Sequence, residues 1–175
     1  AFVFDLSDSP TRRTLEDLNG DTILTRRPRY HVRQFGETGL LLTKELPLPA
    51  VPLDVSFPAV VTLRGYDLDT TGTELRLRPY WDPQGRATRD PTRVLQVSDS
   101  TGQVLVEIEG VPLRTVLPPT RWERGQIVAE QISVPLQGHT PDQLRLAVGW
   151  RDGQGAALPT DRGMAFTPLW PPPGP

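Results

Sequence analysis

The chain has 175 residues, 37% of them hydrophobic, with a formal net charge of −2 and no cysteine. This excludes disulfides, thiolate metal sites, iron–sulfur clusters and a cysteine nucleophile, and it gives no electrostatic case for nucleic acid. The apolar content suffices for a buried core at this length, while 20 prolines exclude long helices, because each interior proline removes a hydrogen bond and clashes with the preceding turn.

Residues 1–46 read as a small α/β piece. Phe2-Val3-Phe4-Asp5-Leu6 is a short apolar run and predicts a buried strand. Ser7-Asp8-Ser9-Pro10 places capping residues before a proline, a helix start signal. Leu15, Leu18 and Ile23 would line one face of that helix, with Gly20 stopping or interrupting it. Two strands follow, Tyr30 to Phe35 and Gly39 to Lys44, around a turn at Gly36–Gly39. Pro47, Pro49, Pro52 and Pro58 then make residues 47–58 a stiff, extended linker.

Beyond Val60 the sequence alternates with period two. Leu75, Leu77, Pro79 and Trp81 oppose Glu74, Arg76, Arg78 and Tyr80. The same alternation runs through Val61 to Gly65, Val104 to Glu109, Val128 to Val134 and Leu144 to Arg151. Turn signals close each run, among them Thr71-Gly72, Thr101-Gly102, Arg124-Gly125 and Asp152-Gly153. Short amphipathic strands at this spacing predict a mainly β fold, an antiparallel β-sandwich over residues 59–168, immunoglobulin-like or jelly-roll-like. The proline-rich residues 169–175 are expected as an extended tail, since prolines cannot continue a sheet ladder.

Chemistry-bearing groups are sparse. His31 and His139 are the two histidines, too few for a His-rich zinc or iron site. Carboxylates at Asp67, Asp69 and Glu74 surround Gly72, but a calcium loop also needs a bidentate glutamate at its twelfth position, and Asp, Thr and Gly are ordinary hairpin residues. Asp82, Asp90, Asp99, Asp152 and Asp161 fall near strand ends, and nothing in their spacing brings two together as an acid/base pair. No Gly-x-Ser-x-Gly elbow supports a serine nucleophile. No metal, cofactor or catalytic residue is therefore assigned. Eighteen arginines stand against the single Lys44, either for guanidinium recognition of carboxylate, phosphate or sugar, or, more plainly, as a coding bias. Among the aromatics, Trp81 and Trp150 share the register of the core leucines. Tyr80 and Trp122, with Arg121 beside the latter, are the candidates for an exposed ligand-binding face, where a flat ring can stack on a sugar. For Trp122 a plug at the edge of the sandwich is the weightier reading.

The run from Pro52 to Thr160 resembles the C-terminal β-sandwich module of large bacterial multi-pass membrane proteins of the dolichyl-phosphate-mannose protein mannosyltransferase type. The matching residues run in order from Pro52-Leu53-Asp54-Val55-Ser56-Phe57 through Leu63-Arg64-Gly65-Tyr66-Asp67-Leu68 to Leu75-Arg76-Leu77-Arg78-Pro79-Tyr80-Trp81. They continue with Val97-Ser98-Asp99-Ser100-Thr101-Gly102, the stretch from Pro118 to Val128, and Leu146-Ala147-Val148-Gly149-Trp150-Arg151-Asp152. Residues 1–46 resemble the α/β stretch that joins the last membrane spans to that module. Two departures stand out: Pro79 replaces a hydrophobic residue, and Arg93 to Val97 replaces an aromatic and histidine-containing strand.

The resemblance implies a non-catalytic, extracytoplasmic accessory domain that positions a glycan or protein partner, since the catalytic acids of such transferases lie in their membrane part. Its partners would be the membrane-embedded portion of a parent protein or a membrane complex, and a glycan. The alternatives are a free-standing carbohydrate-binding module and a structural subunit of a surface or membrane assembly. No stretch approaches the ~18 apolar residues of a span and no signal peptide opens the chain. Ala1 stands where a start methionine would, so a processed product or an excised piece of a larger protein is expected.

Overall fold

Period-two alternation gives each strand one apolar face, and two sheets bury those faces against each other. The computed structural model describes residues 2–5, 31–35, 39–43, 46–58, 60–71, 73–85, 87–114 and 117–171. In chain order the strands are β1 (Phe2–Asp5), β2 (His31–Phe35), β3 (Gly39–Thr43), β4 (Val51–Phe57), β5 (Val61–Thr71), β6 (Glu74–Pro83) and β7 (Thr92–Asp99). They continue as β8 (Val104–Gly110), β9 (Val128–Ala129), β10 (Ile132–Pro135), β11 (Leu144–Arg151), β12 (Ala157–Leu158) and β13 (Phe166–Trp170). One sheet runs β1-β3-β2-β9-β6-β5-β4, with β10 sharing the β9 edge of β6. The other runs β12-β11-β7-β8, with β13 sharing the β12 edge of β11. The protein is mainly β, with two packed sheets, as the alternation predicts.

Three tryptophans set the middle of the core. Trp81 from the first sheet meets Trp150 from the second edge-on, with ring centroids 5.1 Å apart. Trp122 meets Trp150 in the same T-shaped way at 6.3 Å. Such pairs add about 0.5–1.5 kcal/mol beyond the area they bury. Leu63, Leu75, Leu77, Leu95, Leu144 and Leu146 fill the space around them, all 1% exposed or less. Tyr66 is also fully buried, and its hydroxyl donates to the Leu169 carbonyl, tying β5 to β13 across the sheets.

Parts of the expected linker and tail are strand, and β2 of the N-terminal piece joins the sandwich sheet. Residues 51–57 form an edge strand paired with β5, not a linker. An edge strand has no ladder on its outer side, so Pro52 fits there. β5 bulges between Leu63 and Gly65 where it meets β6, and Gly65 has φ +143°. A Cβ at Gly65 would lie 2.3 Å from the Val51 carbonyl oxygen and 2.6 Å from Pro49 Cγ. The glycine is what lets β4 approach.

The predicted hairpin of β2 and β3 is present, and β1 pairs with β3. These strands join the sandwich sheet directly, because β2 runs parallel to β9 with Val32 beside Val128. The helix expected near residues 10–20 lies outside the described residues. At the other end, Leu169 and Trp170 belong to β13, which pairs with β11, and Leu169 is fully buried. Only Pro168 of that strand is a proline, and β11 needs no donor from it on both sides.

Candidate functional site

The aromatic face proposed from the sequence is not exposed. Tyr80 is 2% exposed and Trp122 1%. Trp122 follows the 3-10 turn Pro119–Arg121, plugs the gap between the sheets against Trp150, and donates its indole N–H to the Leu117 carbonyl at 2.7 Å. Tyr80 points to the other side of its sheet, as its register requires. That side is covered there, and Tyr80 packs with Ile127 and Ala129 in a small second cluster. Its hydroxyl donates to Asp67 Oδ2 at 2.6 Å, and burial, followed by this bond, pushes the phenol up to about 12. Arg121 is exposed. The three residues thus lie in the main core, in the second cluster and on the surface, and offer no common stacking platform. Alternation marks which side of a sheet a residue takes; it does not mark whether that side meets water.

Most of the engaged arginines hold strands together. Arg64 spans the outer face of three strands, reaching Asp54 at 2.8 Å on β4 and Asp82 at 2.7 Å on β6. Arg151 reaches Glu107 at 3.3 Å and also pairs with Glu109, both on β8. Exposed pairs of this kind contribute under about 1 kcal/mol each.

Arg93 is different. It is 5% exposed and meets Glu130, 4% exposed, through Nε at 3.2 Å and Nη2 at 3.4 Å. Arg93 Nη1 also donates to the Ile108 carbonyl at 2.7 Å, and Trp81 Nε1 donates to Glu130 Oε1 at 3.0 Å. The pair joins the two sheets inside the core. Glu130 sits in the break between β9 and β10, opposite Pro79 of β6, which has no N–H to donate. Its signal was present in the sequence. Glu130 shares the inward register of Val128, Ile132 and Val134, and Arg93 that of Leu95 and Val97. Two opposite charges in core register call for each other. Pro79 and Arg93 therefore meet at one place, around Glu130.

His31 links the N-terminal strands to this framework. Its Nδ1 accepts the Ile127 N–H at 3.0 Å, which leaves the ring proton on Nε2. Burial lowers its pKa, with Asp82 acting weakly the other way.

A cleft of about 350 Å³ opens at one end of the sandwich, where three connections converge. The β4–β5 turn contributes Pro58 and Val60, the β6–β7 connection Thr88, Arg89 and Pro91, the β11–β12 turn Asp152 and Gln154, and β12 Leu158. The β11–β12 turn is fixed from within: Asp152 Oδ1 accepts the N–H groups of Gln154 at 2.8 Å and Ala156 at 2.9 Å. The stem of Arg89 lies over Gly153, whose added Cβ would stand 3.4 Å from Arg89 Cδ. Arg89 is exposed, and among the described residues none pairs with its guanidinium. The size falls at the low end of small-molecule sites, and the lining mixes apolar and polar groups. The sequence marked Asp152-Gly153 as a turn, but the approach of Arg89 depends on a loop more than 60 positions away.

The remaining carboxylates have local tasks. Asp90 Oδ1 accepts the Thr120 N–H at 3.1 Å. Asp99 Oδ1 closes the β7–β8 turn by accepting from Thr101 N at 2.8 Å and Gln103 N at 3.0 Å. Its pKa is lowered, first by the Thr101 side-chain bond and then by those backbone donors. Asp67 Oδ1 accepts the Ala50 N–H at 2.8 Å, pinning the approach to β4. Among the described residues no three His, Asp or Glu side chains gather as a metal site, and no helix is long and apolar enough to cross a membrane. Comparison with protein-family models, with curated proteins and with solved structures finds no match.

Proposed function

We propose that this chain is a non-catalytic, extracytoplasmic accessory domain of a membrane glycosyltransferase-like protein, and that it positions a glycan or protein partner beside the membrane. One observation carries it. The N-terminal strands are not hung on a linker but are built into the sandwich sheet through the parallel β2–β9 pair and the His31–Ile127 bond. A module that must hold a partner at a set place relative to a preceding membrane part needs such a stiff mount. The end-of-sandwich cleft is the surface it would present, built from loops on a rigid scaffold.

The test is the coding sequence directly upstream of Ala1, followed by fractionation of cells with an antibody against this domain. A row of apolar spans of about 20 residues each and recovery with membranes are expected. A start codon at that position, with recovery in the cytosol, overturns the assignment.

One observation favours a structural subunit instead. Among the described residues β8 pairs only with β7, and its Val104 is 46% exposed. Open edges invite pairing with another chain. Sedimentation of the purified protein distinguishes the two: a concentration-dependent dimer abolished by Val104→Lys favours the subunit. A carbohydrate-binding module stacking sugars on Tyr80 and Trp122 is not proposed, since both rings are buried.

A further inference from the structure

We propose that the end-of-sandwich cleft binds a carboxylate-bearing saccharide, with Arg89 as the carboxylate anchor. The proposal rests on the accessory-domain reading only for its biological setting; the chemistry comes from the cleft. A guanidinium without a partner among the described residues stands at one side, and its five donors match a carboxylate bidentately. Its stem lies across Gly153. Asp152, the neighbour of Gly153 in the chain, lines the same cleft. Its Oδ1 is committed to the turn, while Oδ2 has no bond to a described residue. No ion pair joins Asp152 to Arg89 within the contacts of the described residues, so neither charge is spent on the other.

A simple anion would satisfy Arg89 and be repelled by Asp152. A neutral hydroxylated ligand would satisfy Asp152 and leave the guanidinium unmatched. A ligand that answers both carries an anion at one end and hydroxyl donors at the other, as an acidic sugar does. Thr88 and Gln154 add a hydroxyl and an amide able to donate and accept. Pro91 and Leu158 supply apolar wall for the C–H face of a sugar ring. This is recognition without an aromatic platform.

The test is calorimetric titration of the 175-residue chain with a glucuronate-containing disaccharide, its neutral glucose counterpart, and inorganic phosphate. Binding of the acidic disaccharide is expected, weakened at least about tenfold by Arg89→Gln, the loss of one charged hydrogen-bonded contact. Arg89→Lys should restore only part of it, because an ammonium lacks the fork. Thermal unfolding of each variant is measured alongside, and Arg89 is exposed, so the fold should be unmoved. No binding of the acidic disaccharide, equal binding of the neutral one, or indifference to Arg89→Gln overturns the proposal. Equal binding of phosphate overturns the saccharide assignment and makes the cleft a general oxyanion site. None of these outcomes bears on what is encoded upstream of Ala1, so the accessory-domain reading stands or falls separately.

Discussion

Replacing Glu130 by Leu, Arg93 by Met, and both together separates a buried ion pair's cohesion from its cost. Both residues are 5% exposed or less, and each has further partners, Trp81 Nε1 and the Ile108 carbonyl. Removing one partner leaves the other charge buried without compensation, which costs about 3–5 kcal/mol. A domain of this size has about 5–15 kcal/mol in total, so either single variant loses a large part of its stability. With a urea m-value of about 2 kcal/mol/M, the midpoint falls by about 1.5–2.5 M. The double variant removes both charges and their desolvation cost together, and it should recover to within about 1–2 kcal/mol of the parent. The remaining deficit comes from the Trp81 N–H and the Ile108 carbonyl, which lose their partners. Equilibrium urea unfolding followed by tryptophan fluorescence reads all three, since Trp81 touches the pair. Single losses below about 1 kcal/mol, or a double variant as damaged as the sum of the singles, would refute a desolvated pair joining the sheets.

Gly65→Ala should cost at least about 2 kcal/mol and free β4, because the new methyl meets the Val51 carbonyl at 2.3 Å; hydrogen exchange of residues 51–57 reads the loss of that strand. Trp122→Ala should destabilise by about 3–5 kcal/mol as a large core truncation, and unchanged thermal unfolding would show that the ring is not a plug. His31 gives a pH dependence whose sign follows from its lowered pKa. Above its ordinary value of 6.5 both folded and unfolded chains carry neutral imidazole. As pH falls below that value the unfolded chain takes up the proton first, so stability drops until the lower folded pKa is passed. Denaturant unfolding between pH 7.5 and 5 should therefore show a loss that His31→Gln removes; a loss of equal size in that variant would assign it to other groups.

The sandwich was legible because alternation is a local signal. Strands such as Glu74–Pro83 and Leu144–Arg151 carry their inward face in their own residues. The hairpin of β2 and β3 was legible for a similar reason, its turn residues lying between two short apolar runs. Proline misled at residues 47–58 and 169–170. A proline forbids a donor at one position, whereas an edge strand needs donors on one side only, and which strands are edges is a property of the whole sheet. Tyr80 and Trp122 failed as exposed candidates for a like reason, since cover over a face comes from distant segments. The cleft was illegible because it is assembled from three connections that only the closed sandwich brings together. Arg93 and Glu130 were legible in principle, from two charges each sitting in core register.

The parallel pairing of β2 with β9 also imposes an order on folding. Ile127 and His31 are bonded across 96 positions of sequence, so β2 leaves the ribosome long before the strand that receives it exists. At about 5–20 residues per second the wait is roughly 5–20 s, during which β2 lacks the partner strand that its edge receives. An exposed edge is a template for a neighbouring nascent chain. Newly made protein is thus most vulnerable to aggregation and proteolysis before residue 128 emerges, and chaperones that shield the first 46 residues should raise the yield of folded protein more than any that act on the finished sandwich.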